Sequence, residues 1–197
     1  MKKTYKTLAS RLQSGATLIE ALVSILILSL GLLGMASLQL NALSFQKSSA
    51  ATHRIAELTN DISEKIRANP TGAKDGEYGY TATYSIAKSA TVTSNLCRSS
   101  GVDCTAQDIA EDDVSAWLVK AQRALPGGAV RLEGDVSNGF NVTVMYQDKD
   151  FIDITTGIAQ SSSACTSATS GIAWRNCCPA AAAVTSGVRC HRTNVIP

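Results

Sequence analysis

Glu20 is the only ionisable side chain from Ala16 through Gln46, and it follows the small pair Gly15-Ala16 by a few residues. A carboxylate inside a membrane-spanning helix costs about 2.5–3.5 kcal/mol on insertion scales, so it needs a partner or a task. If the peptide bond after Gly15 is cut, the amine of Ala16 becomes a cation at a similar depth. Between staggered copies of the helix, amine and carboxylate can pair, and docking then removes a buried charge that would otherwise stand alone.

The second reactive set is Cys97, Cys104, Cys165, Cys177, Cys178 and Cys190. An even number of cysteines in an exported segment reads as disulfides, and sequence leaves their pairing open. Cys97 and Cys104 can close a short loop across Ser99-Ser100-Gly101. The adjacent Cys177 and Cys178 should bond outward to two different partners, since a bridge between neighbours is strained. Zinc, with His191 beside Cys190, is the rival; paired CxxC knuckles are absent and an oxidising compartment favours bridges. Asp148, Asp150 and Asp153 lack the glycine and distal glutamate of a calcium loop and read as a solvated turn, so no metal or cofactor is expected. Neither a Gly-x-Ser-x-Gly elbow nor a local serine, histidine and acid set is present, and His53 and His191 stand apart from any nucleophile, so no enzyme activity is expected.

Lys2, Lys3, Lys6 and Arg11 precede Gly15 without an acid among them, and the run from Ala21 to Leu40 has roughly the 20 residues a helix needs to cross a bilayer. The leading positive charges should stay cytoplasmic and place the rest of the chain beyond the inner membrane. A cleavable secretory signal has a shorter apolar core and its small-residue site after that core, not before it. An uncleaved signal anchor would leave the Gly15 and Glu20 combination as coincidence.

One helix is expected from about Ala16 to Ala68. Its outer half is amphipathic, with Ala51, Ile55, Leu58, Ile62 and Ile66 at helical spacing, and Asn69-Pro70 ends it. Gly31 and Gly34 lie in the apolar half, where each costs roughly 1 kcal/mol relative to alanine in water. Read from the residues alone, they serve small-residue packing between membrane helices. Tyr78 to Ile86 alternates as a strand after the turn-rich Thr71 to Gly76. Thr105-Ala106-Gln107-Asp108 forms a capping box for a helix whose apolar face is Ala110, Val114, Trp117, Leu118, Ala121 and Leu125, with Trp117 as a core anchor. Pro126-Gly127-Gly128 stops that helix. Val130, Leu132 and Val136, then Phe140, Val142, Val144 and Tyr146, make a hairpin about Ser137-Asn138-Gly139. Thr155 to Gly171 and the cysteine-rich tail read as a variable surface loop fixed by disulfides, where partner specificity is expected.

The stretch from Gly15-Ala16-Thr17-Leu18-Ile19-Glu20 to Ala21-Leu22-Val23-Ser24 resembles the class III signal of type IV pilins and pseudopilins. That resemblance implies a membrane prepilin peptidase that cuts after Gly15 and methylates Ala16. The usual first mature residue is phenylalanine; alanine stands here. Leu30-Gly31-Leu32-Leu33-Gly34-Met35-Ala36, then Lys65 to Pro70, then Ala116-Trp117 leading to Leu125-Pro126-Gly127-Gly128, are similar in order to the PilV (type IV pilus modification protein) family of minor pilins. The cysteine-rich tail has no comparable counterpart.

The resemblance implies an α+β pilin-like fold, a long N-terminal helix packed on a small antiparallel sheet with a disulfide-rich C-terminal region. It divides the chain into a leader (1–15), a transmembrane and assembly half of the helix (16–46) and a periplasmic globular domain (47–197). It implies a single-pass inner-membrane protein that passes into the pilus at or near its tip. Its partners would be the prepilin peptidase, other minor pilins, the major pilin and the inner-membrane assembly platform, and by resemblance Gly31 and Gly34 would loosen as the subunit leaves the bilayer. Losing the four leader cations moves the formal side-chain charge from +2 to −2. That total gives nucleic-acid binding no support, while the basic cluster Arg175, Arg189, His191 and Arg192 keeps it open. A type II secretion pseudopilin shares every anchor feature, and a tip-exposed adhesin or DNA-uptake module would use the tail.

Overall fold

The structure, a computed structural model, describes residues 17–92, residue 97 and residues 103–197. Helix α1 occupies Leu18–Ala68. The chain divides after Ser48 into two units, and α1 supplies the described part of the first and, from Ser49 onward, one layer of the second. In the first unit an 18-residue window has mean hydropathy 2.3 and none of it is buried, so this helix is long and apolar enough to cross a membrane.

Within the second unit the α1 stripe behaves as its spacing dictates. Ile55, Leu58, Ile62 and Ile66 are buried and Ala51 is partly so. At roughly 1.5–3 kcal/mol for each large aliphatic side chain, this stripe is a major contribution to holding the helix in place. The helix stops where proline forbids its continuation: Asn69, ahead of Pro70, has φ −123° and ψ 71°. A one-turn helix α2, Pro70–Lys74, follows where the sequence reads only as a turn. Asn69 holds both neighbours, with Oδ1 accepting the Gly72 N–H at 3.2 Å and Nδ2 donating to the Ala106 carbonyl at 2.7 Å.

The expected strand Tyr78 to Ile86 does not form. Tyr80 makes an isolated bridge to Leu132, and the chain then turns into a short helix, α3, Tyr84–Ser89. Tyr78, Tyr84 and Ala87 are buried along this stretch, which is a helical spacing at its end, so the apparent alternation carried two patterns in one window. Helix α4, Ala106–Ala124, begins at the expected capping box: Thr105 Oγ1 accepts the Asp108 N–H at 3.2 Å and Asp108 Oδ2 accepts the Thr105 N–H at 2.9 Å. The Thr105 hydroxyl and backbone bonds hold the Asp108 carboxyl below its ordinary range. Trp117 is fully buried, and its indole N–H donates to the Leu58 carbonyl at 2.8 Å, joining α4 to α1.

The sheet is three-stranded and antiparallel, ordered β1 (Ala129–Asp135), β2 (Gly139–Gln147) and β3 (Val188–Val195). The expected hairpin is present. Asp135 Oδ1 accepts the N–H groups of Ser137 and Asn138 at 2.7 and 2.8 Å, and Gly139 takes a left-handed φ of 82°. Val136 belongs to this turn, not to β1, and is exposed. Both faces of β2 are covered: Phe140, Val142 and Val144 are buried on one, Thr143 and Met145 on the other. β3 is absent from the sequence reading, as are helix α5 (Gly171–Asn176) and the 3-10 turn Ala180–Ala182. The burial of Met145 beside its register partner Cys190 explains why the tail is structured: it covers the far face of the sheet.

Candidate functional site

The anchor surface is made of Leu18, Ile19, Leu22, Val23, Ile25, Leu26 and the apolar residues beyond them, all exposed at 51% or more. Glu20 stands in the first turn of this helix and is exposed. Its N–H reaches Thr17 Oγ1 at 3.4 Å, and its carbonyl accepts the Ser24 hydroxyl at 2.7 Å, so both neighbours serve its backbone and not its carboxylate. Gly15 and Ala16 lie outside the described residues. Gly31 and Gly34 sit on the same helix, and a Cβ at either would meet nothing within 4 Å. Among the described residues, then, their small size answers no contact.

The cysteines pair as Cys97–Cys104, Cys165–Cys177 and Cys178–Cys190. The short local loop and the outward bonding of the adjacent pair are as the sequence leads one to expect. Cys178 and Cys190 are in the core, tying the tail to β3. Arg192, on β3, packs its guanidinium over the Trp174 ring at 4.5 Å and donates to the sulfurs of Cys165 and Cys177 at 3.1 and 3.5 Å. Burial lowers its pKa, and Glu133 opposes the shift.

The basic cluster of the tail is thus largely committed. Arg189 pairs with Asp148 and lies 4.4 Å from the Phe151 ring centroid, and Arg192 stacks on Trp174. Asp148, Asp150 and Asp153 serve as turn residues. Asp148 Oδ1 accepts the Asp150 N–H, and Asp153 Oδ1 accepts those of Thr155 and Thr156, which together with the Thr156 hydroxyl hold its carboxyl below its ordinary range. Sequence reasoning missed the Lys65, Tyr78 and Asp113 network, in which the Tyr78 hydroxyl donates to Asp113 Oδ2 at 2.9 Å beside a Lys65 to Asp113 pair at 3.4 Å. Burial, then that hydrogen bond, raises the Tyr78 pKa. No local signal links positions so far apart.

His191 sits half-buried on β3, and burial, then the nearby Arg175 charge, lowers its pKa below the ordinary 6.5. The folded state therefore disfavours its protonation, so the unfolded chain binds more protons as the pH falls through 6.5. Thermal stability should accordingly decline as the pH falls through and below 6.5, with a shallower decline in His191→Gln. Parallel profiles for the two proteins by scanning fluorimetry would remove His191 as the cause.

Residues 10–36 match the model of the prokaryotic N-terminal methylation motif, and residues 37–115 match the model of Type IV pilin Tt1218. No curated protein and no solved structure gives a match. The two family matches lie on a chain with a long apolar N-terminal helix, a three-stranded antiparallel sheet and disulfides in the C-terminal region, and the pilin family they point to is structural, not enzymatic. The two matched segments adjoin, and together they support a type IV pilin or pseudopilin bearing the motif that a prepilin peptidase cleaves and methylates. The apolar helix and the motif are consistent with a membrane-anchored prepilin that is assembled into a pilus.

Proposed function

We propose that the chain is a minor type IV pilin of the PilV kind, cut between Gly15 and Ala16, N-methylated at Ala16 and incorporated into, or priming, a pilus. Residues 1–15 are the leader, 16–46 the transmembrane and assembly segment, and 47–197 the periplasmic domain. Glu20 pairs with the Ala16 amine of an adjacent subunit. Gly31 and Gly34 let the helix loosen as it passes from bilayer to fibre. Other minor pilins, the major pilin and the inner-membrane assembly platform are the partners. The observation that carries this reading is a helix that exposes large apolar side chains from Leu18 to Phe45, a stretch in which Glu20 is the only carboxylate.

Glu20→Ala tests it. The variant should still begin at Ala16 by mass spectrometry, while its recovery in sheared surface fibres falls at least about tenfold, since each neighbouring amine is left without its counter-charge. Recovery at the wild-type level would remove the charge-pairing role. Processed wild-type protein confined to the envelope, with protein secretion lost on deletion and pili intact, would instead make the chain a secretion pseudopilin.

A further inference from the structure

We propose that a cleft between residues 77–80 and α4 receives a lysine or arginine side chain from a neighbouring pilin-class subunit, an inference that rests on the assembly reading above. The cleft has a volume of about 230 Å3. Its apolar wall includes Val114 and Leu118 of α4, which are 7% and 1% exposed, and its polar edge carries Glu77, Tyr80 and Glu111. No lysine or arginine lines it among the described residues.

Half-buried carboxylates elsewhere in this unit are answered within the chain, Asp108 and Asp153 by hydrogen bonds and others by cations. Asp61 meets Lys120, Asp113 meets Lys65, Glu133 meets Arg131 and Asp148 meets Arg189, all within the chain. The exposed Glu111 accepts one hydrogen bond from Gln107 at 3.2 Å through Oε1, and among the described residues neither its Oε2 nor the half-buried Glu77 carboxylate has a partner. Two carboxylates beside an aliphatic wall are complementary to a side chain with an aliphatic stem and a cationic head. The Tyr80 ring adds a face on which such a head can rest. A free carboxylate or phosphate ligand would be repelled, and a purely apolar knob would desolvate both acids without answering them.

The test uses the full-length chain in piliated cells, with a photo-crosslinking benzoylphenylalanine in place of Gly79 at the cleft edge. Gly79 is exposed, and a Cβ there meets nothing closer than the Gly76 carbonyl at 3.5 Å, so the probe fits without moving the backbone. After irradiation, sheared fibres and envelope complexes are digested and the joined peptides sequenced. The expected product links this site to a stretch of another pilin-class chain that contains lysine or arginine. Combining Glu77→Gln with Glu111→Gln should lower its yield roughly fivefold or more, as should high salt, with thermal unfolding unchanged. Links confined to this chain, links to a stretch without a basic residue, or an unchanged yield in the glutamine variant overturn the inference while the assembly reading stands, so long as the protein is recovered with other fibre subunits. A chain that never co-purifies with them sinks both.

Discussion

Trp117→Ala lowers the thermal midpoint of the globular unit by roughly 6–20 °C. Trp117 is fully buried on α4 and joins a core that includes Leu58 and Ile62 of α1 and Leu132 of β1. Removing an indole from such a site costs about 3–5 kcal/mol, mostly because the surrounding elements cannot collapse into the space. For a unit spanning Ser49–Pro197, each kcal/mol moves the midpoint by about 2–4 °C. The lost hydrogen bond is the smaller part, since the Leu58 carbonyl lies inside α1 and keeps its helical partner. Trp117→Phe separates the two contributions: it retains most of the volume, loses the N–H, and should cost nearer 1 kcal/mol plus the lost ring area. Calorimetry on the full-length protein in detergent decides it. A melting point for Trp117→Ala within a degree or two of the wild type would mean that α4 is not fixed through this residue.

Much of that core was legible in the sequence because local rules wrote it. The α1 stripe, the stop at Asn69-Pro70, the Thr105 capping box, the apolar face through Trp117 and the hairpin at Ser137-Asn138-Gly139 each depend on residues within a few positions of one another. Where the structure departs from expectation, the deciding contacts are distant. Tyr84 ends in a helix because its hydroxyl donates to the Gly127 carbonyl at 3.0 Å and Gln122 holds the Ala87 and Ala90 carbonyls, and both Gly127 and Gln122 lie far from this segment in sequence. β3 escaped for the same reason. Its segment, Val-Arg-Cys-His-Arg-Thr-Asn-Val, alternates weakly, and its stability comes from pairing with β2 and from the Cys178 bridge.

The candidate site divides along the same line. The anchor surface and Glu20 were legible because a single carboxylate in an apolar helix is a composition signal that needs no tertiary structure. The fate of the tail's cations was not. Arg189, His191 and Arg192 read as a basic patch until the fold sets Asp148 against the first, buries half of the second and lays the third across Trp174. The Glu77 and Glu111 cleft was equally hidden, since an unanswered acid is recognised only when its spatial neighbours are known.

Removing both cysteines of the Cys178–Cys190 bridge should destabilise the domain more than removing both of Cys97–Cys104, and burial rather than loop length is the reason. The sequence separations are 12 and 7, and chain entropy varies only with the logarithm of loop size, so that contribution is about 2–3 kcal/mol for either bridge. Cys178 and Cys190 are 2% and 3% exposed, whereas Cys97 and Cys104 are only half-buried. Cys178→Ala with Cys190→Ala therefore also opens space beside Met145 and frees the tail from β3, an edge strand that pairs with β2 alone. Its total cost should reach about 3–5 kcal/mol, with amide protection lost first along Val188–Val195. Both members of a bridge must be replaced together, because a lone Cys190 thiol could attack the adjacent Cys165–Cys177 bridge and scramble the pairing. Denaturant midpoints of the two double variants under oxidising conditions give the comparison. Equal midpoints would show that the tail is held to the sheet by its backbone pairing and packing, with the bridge adding only loop entropy.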